Sequence, residues 1–168
     1  MPSRSIPVLI LGLALALLAG CAGLGRDRSL VVGSSTAESI YASHGQPVRR
    51  WTNPDGGQTL EYSSQPFGRT CYMVTLDREG KFVGIEDTLR EASRFAITAG
   101  MTQEQVSRRL GRERSRVFFK FSGEDVWDWN VDPEQSGHLL RFNVHFKDGV
   151  VLRTTQSMIF PGRFPFDR

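Results

Sequence analysis

The chain predicts an α+β fold: two tandem units, each a short helix or helix pair packed on an antiparallel β-sheet of three to four strands. Three observations carry this. First, landmarks recur in order. Thr36-Ala-Glu38-Ser-Ile40 followed by Gly45 lines up with Thr102-Gln-Glu104-Gln-Val106 followed by Gly111, at a constant offset of 66. Leu60-Glu-Tyr62 then matches Trp127-Asp-Trp129. Tyr72-Met-Val74-Thr-Leu76 with Gly80 matches Phe142-Asn-Val144-His-Phe146 with Gly149, the offset drifting to 70 and 69. An ordered series of this kind reads as duplication of one unit. Second, apolar residues near each Thr are spaced for a helix. Third, the later segments alternate, as half-buried strands do.

Each element has a local cause. In the second unit Thr102 is an N-cap and Gln105, three residues on, completes a capping box. Val106 and Leu110 lie four apart on one face, Glu104 and Arg108 pair on the outer face, and Gly111 stops the helix. The first unit offers Ser35-Thr36 as caps, Ile40 facing inward and Gly45-Gln46-Pro47 as a stop. Its second inward position is His44, read as half-buried and hydrogen-bonded. Strands follow at 48–52, 58–63, 69–77 and 81–89, with turns at Pro54-Asp55-Gly56-Gly57 and Arg78-Glu79-Gly80. The second set is 116–121, 125–131, 138–147 and 150–156, with Asp148-Gly149 marking a tight hairpin. Trp127 and Trp129 share one face and Asp128 and Asn130 the other. Phe142, Val144 and Phe146 point one way, Asn143, His145 and Lys147 the other. These patterns predict sheets with one apolar face, covered on that side by helices, and place Trp127, Trp129, Phe142 and Phe146 in the core. A linking helix is expected over 89–97.

The N-terminus carries a different signal. Arg4 precedes an apolar stretch over 6–19, whose fourteen residues rise about 21 Å as a helix. That is short of a bilayer core of roughly 30 Å and suited to a signal-peptide core. Leu18-Ala19-Gly20-Cys21 closes it and reads as a lipobox, where the signal peptide is cut and the new terminal cysteine is lipidated. The expected organisation is a signal peptide at 1–20, a lipidated N-terminus and flexible tether at 21–30, the first unit at 31–89, the second at 90–157 and an extended tail at 158–168. Diacylglyceryl and N-acyl chains on Cys21 would hold the protein stably, since one chain alone binds only marginally. The inner-membrane retention signal, an aspartate directly after the cysteine, is replaced by Ala22, which favours the periplasmic face of the outer membrane.

About 148 residues remain after cleavage, enough for one ordinary domain or two small ones. The content of 39% hydrophobic residues, with 11 Phe and 3 Trp, supports a packed core. The formal charge of +3 is mild and supports no nucleic-acid role. With Cys21 consumed by lipid, Cys71 has no intrachain partner and reads as a part-buried small hydrophobe rather than an intermolecular disulfide.

Gly100-Met101-Thr102-Gln103-Glu104-Gln105-Val106, Leu110-Gly111, Trp127-Asp-Trp129 and Phe146-Lys147-Asp148-Gly149-Val150, behind a lipobox, resemble the SmpA/OmlA lipoprotein family of BamE-like assembly factors. The resemblance covers 98–156 well and 32–88 more loosely. It departs in carrying two units where such proteins usually carry one, and in the first unit's lack of the Met-Thr pair and of a leucine before its glycine. It implies a non-enzymatic scaffold, lipid-anchored at the outer membrane and supporting assembly or maintenance of β-barrel proteins, with the β-barrel assembly machinery as partner.

No residue pattern points to catalysis, a cofactor or a metal. His44, His138 and His145 lack metal-ligand spacing, and there is no nucleophile elbow, phosphate loop or dinucleotide fingerprint. Glu86-Asp87 and Glu124-Asp125 read as solvated surface carboxylates. The one charge concentration runs from Arg108 to Arg116. Arg108, Arg109, Arg112 and Arg114 form a candidate surface for anionic phospholipid or an acidic partner patch, against the plainer reading of a solvated helix end. The alternative function is a standalone periplasmic binding or inhibitory module of the β-lactamase-inhibitor-protein type, which solvent-facing aromatics spread over both sheets would favour.

Overall fold

The computed structural model describes Leu24, residues 28–132 and residues 138–159. The expected signal peptide, Cys21 and residues 160–168 of the expected tail lie outside them. Among the described residues, two separate four-stranded antiparallel sheets and three short helices make an α+β fold. In chain order the elements are α1 (Ala37–His44), β1 (Arg49–Thr52), β2 (Gln58–Ser63), β3 (Cys71–Leu76), β4 (Phe82–Asp87), α2 (Glu91–Phe95), α3 (Gln103–Leu110), β5 (Ser115–Phe119), β6 (Glu124–Val131), β7 (Leu139–Lys147) and β8 (Val150–Ile159).

The two halves use one local grammar. Thr36 caps α1 by accepting from the Ser39 N–H, and Ser39 Oγ accepts from the Thr36 N–H. Thr102 and Gln105 make the same reciprocal pair on α3, so each helix start satisfies two otherwise orphaned donors. Gly45 and Gly111 end the helices at φ of 77° and 73°, a region that costs other residues. A single bridge, Thr36 to Lys81 and Thr102 to Val150, ties each cap to the last hairpin of its own sheet. Strand order is sequential in both sheets, β1-β2-β3-β4 and β5-β6-β7-β8.

Side-chain alternation then builds two cores. Ile40 of α1 packs over Leu60, Val74, Leu76 and Phe82. Val106 and Leu110 of α3 pack over Trp127, Trp129, Phe142, Val144 and Phe146, with the Trp127 and Phe146 rings 4.7 Å apart. The strand aromatics are core, as their alternation requires.

The expectation of one covered face per sheet fails for the first sheet. Cys71 and Met73, on the face of β3 turned away from α1, belong to the second core. The unbroken run Cys71-Tyr-Met-Val74 is what a strand buried on both faces shows, and it is the sequence signal for this packing. Leu89 and Ile97, flanking α2, also enter the second core; α2 itself is shorter than the predicted 89–97 segment.

Two segment assignments change. Leu24 and Leu30, expected within a flexible tether, pack instead: Leu24 is 8% exposed in the first core and Leu30 lies against the same cluster. Met158 does not begin a tail; it pairs with Leu140, and β8 continues to Ile159.

Candidate interaction surface

The arginine run, expected to act together, divides into separate roles. Arg114 lies in a part-buried ion pair with Asp128 and bonds Ser115 Oγ. Arg108 pairs with Glu104 at 2.9 Å, lies over the Trp51 ring at 4.7 Å and donates to the Thr52 carbonyl. Both are committed to holding the fold. Arg109 and Arg112 are exposed and have no side-chain ion pair among the described residues, so only these two are left to meet a partner. Cys21 lies outside the described residues.

Arg108 acts at the seam between the halves. There α3 sits on the outer face of the first sheet, centred on Glu61, a fully buried carboxylate in β2. Its oxygens accept from the Arg112 backbone N–H at 2.6 Å and from Trp51 Nε1 at 3.2 Å, with Arg49 4.0 Å away. A buried charge is tolerated only when paired and hydrogen-bonded. A second clasp lies where β5 begins, with Ser115 opposite Asp128, and β6 runs on past it unpaired on that side. The Gln65 side chain fills the gap, donating to the Asn130 carbonyl at 2.8 Å and accepting from the Asn130 N–H, while Asn130 Nδ2 donates to the Pro66 carbonyl.

Beside the seam a groove of about 510 Å3 is lined by Thr59, Thr75, Thr88 and Glu86 from the first half and Gln105, Arg108 and Arg109 from α3, with Met73 and Met101. It contains no histidine or thiol. Cys71 is buried, and desolvation followed by the nearby Glu61 charge pushes its thiol up to about 12, so it is not a nucleophile at neutral pH. Among the described residues no three His, Cys, Asp or Glu side chains gather to hold a metal. His44 is half-buried.

The carboxylate pairs expected to be solvated are instead structural. Glu124 pairs with Arg153 and with His145 at 2.7 Å; hydrogen bonds from these two hold its carboxyl below the usual range. Asp125 accepts from Trp127 Nε1 and Gln103. Asp87 accepts from the Cys71 and Leu89 N–H groups, and Glu86 from Ser93. On the outward face of the second sheet Asn143 bonds Thr155 and Ser157, and His145 bonds Thr155. This is a polar cross-strand ladder.

Exposed aromatics gather elsewhere, on the hairpin of β5 and β6. Phe118 is 62% and Phe119 51% exposed, Phe121 is fully exposed, and Val117 beside them is half-exposed. Register explains this. Phe118 stands opposite Asp125 and Phe119 opposite Glu124, so neither has an apolar side chain directly across the strand pair. Arg116 lies over the Trp127 ring at 3.8 Å and shields the core behind. β5 is also an edge strand, with its outer side unpaired among the described residues. An apolar edge of this kind is a template for pairing with another chain. The arginine-centred reading missed it, although Val117-Phe-Phe-Lys-Phe121 has no polar alternation and could have marked it.

No family model and no curated protein matches the chain. Similar solved structures include the DUF4309 family protein YjgB from Bacillus subtilis, at 16% identity over 79% of this chain and 84% of that one, with a TM-score of 0.27. A beta-lactamase-inhibitor-like protein from Streptococcus mutans is similar at 13% identity over 90% and 97%, with a TM-score of 0.31. An extracellular SCP-domain protein from Bacillus anthracis is similar at 14% over 77% and 44%, with a TM-score of 0.30. Likeness at this level carries no functional argument, which rests on the chain's own residues.

Proposed function

We propose that the protein is a non-enzymatic binding subunit, lipid-anchored through Cys21 to the periplasmic face of the outer membrane. In this reading it supports assembly or maintenance of outer-membrane β-barrel proteins, as the SmpA/OmlA resemblance implies. The observation that carries the binding role is the β5 hairpin: two exposed phenylalanines on an unpaired strand edge and a third in the turn that follows. An added strand from a partner would take up the free N–H and C=O groups of β5, while Phe119 and Val117 offer apolar anchors on one face. The alternative enzyme-inhibitor module would use aromatics spread across both sheets. The polar ladder on the second sheet and the gathering of Phe118, Phe119 and Phe121 at one edge favour strand addition.

The test places a photo-crosslinking amino acid at Phe119 of the intact lipoprotein in cells. Crosslinks to β-barrel assembly subunits or nascent barrel proteins are expected, and a soluble periplasmic enzyme in their place supports the inhibitor reading. Cys21→Ser is expected to fold yet leave the membrane fraction and carry no fatty acid. Normal fatty-acid labelling of that variant would refute the anchor.

A further inference from the structure

The first core holds the start of the chain close to Cys21. Leu24 is buried among Ile40, Leu60, Val74, Leu76 and Phe82, and only Ala22 and Gly23 stand between it and Cys21. Three trans peptide steps reach at most about 11 Å. The headgroup layer is about 6 Å deep on each side of the bilayer core. A cysteine whose acyl chains lie in the membrane therefore brings the first core down against the headgroups.

The same cluster displays an apolar turn. Leu30 packs against it, and the next two residues, Val31 and Val32, are both more than half exposed. The turn is held stiffly. The Val31 carbonyl accepts from Ser34 and Ser35, Gly33 donates to the Phe82 carbonyl, and Phe82 donates to that of Ser35. The second unit is elsewhere. Its core meets the first sheet through Cys71 and Met73, on the face opposite the one that covers Leu24. The first sheet thus separates Leu24 from the second unit's core.

We propose that Leu24 docks the lipidated N-terminus in a fixed orientation. The first unit rests on the membrane through the Val31–Val32 turn, and the second unit, with its phenylalanine hairpin, stands away from the bilayer that carries the anchor. This rests on lipidation of Cys21. It assigns different tasks to the two units: one seats the molecule and the other meets partners.

The test uses the full lipidated protein in vesicles of phosphatidylethanolamine and phosphatidylglycerol bearing headgroup nitroxides, with bimane at Val32→Cys or Phe121→Cys in a Cys71→Ala background. Loss of most Val32 emission with retention of the Phe121 emission is expected. Leu24→Ser, or a Gly-Ser insert of about ten residues before Leu24, which adds roughly 18 Å of flexible reach, is expected to restore the Val32 emission. Equal quenching at the two positions, or quenching at Val32 that neither change relieves, overturns the orientation while leaving the anchor intact. An N-terminal peptide with an unmodified Cys21 by mass spectrometry overturns the anchor and the orientation together.

Discussion

The sulfur of Cys71 occupies the space where a side chain on Gly111 would begin: a Cβ added to Gly111 would overlap it and crowd the Glu61 carboxylate. The end of a helix in one half is thus seated on a strand of the other with no room for a methyl group. The equivalent glycine of the first half, Gly45, has the same backbone twist and nothing within 4 Å of its would-be Cβ.

That contrast separates conformational from packing cost. Gly45→Ala is expected to destabilise by about 1–3 kcal/mol, for its positive φ with ψ near 180° alone. Gly111→Ala is expected to cost about 2–4 kcal/mol, because overpacking adds to it. Adding Cys71→Ala to Gly111→Ala should recover the steric part and not the rest, seen as a positive coupling in a urea-denaturation double-mutant cycle. Equal losses at Gly45 and Gly111 would show that the seam is not close-packed.

Glu61 is expected to be the most sensitive polar position. Glu61→Ala strands the Trp51 and Arg112 donors in a buried site and should cost about 2–4 kcal/mol. Glu61→Gln keeps one acceptor and should cost less. Both should lower the urea midpoint with an unchanged slope; a loss within 0.5 kcal/mol for Glu61→Ala, about the ordinary surface value, would contradict the role assigned to it.

Cys71 gives a pH dependence whose sign is fixed by burial. The folded protein favours the neutral thiol, with a pKa of about 12 against an ordinary 9.0. Its contribution to stability is therefore present below about pH 9 and lost as the pH rises toward 12. A thiol reagent at pH 8 should leave Cys71 unmodified in the native protein and react fully in urea. Native reaction at the rate of a free thiol would refute its burial.

The arginines should separate in two assays. Arg108→Glu removes the contacts with Trp51 and the Thr52 carbonyl and should cost about 1–2 kcal/mol in thermal or urea unfolding. Arg109→Glu with Arg112→Glu should stay within about 0.5 kcal/mol and lower the yield of partner proteins that co-purify with the intact lipoprotein. Unchanged co-purification with that double variant would remove both arginines from the partner surface.

What the sequence determined by itself was local. Thr36 and Thr102 capping, Gly45 and Gly111 stopping, and the alternation of Trp127 and Trp129 or Phe142, Val144 and Phe146 are set by residues within a few positions of each other. They located the helices and strands to within a few residues. The lipobox is likewise a contiguous motif. Tertiary structure decided everything resting on contacts between distant segments: Glu61 with Arg112, Gln65 with Asn130, Cys71 with Gly111, and Leu24 in the first core. It also separated Arg108 and Arg114, held in the fold, from Arg109 and Arg112, and left Phe118 and Phe119 exposed opposite carboxylates and Phe121 exposed in the turn beyond them. Periodicity specifies which face a side chain is on, but burial depends on what packs against that face, and at the seam that partner lies forty to sixty-five residues away.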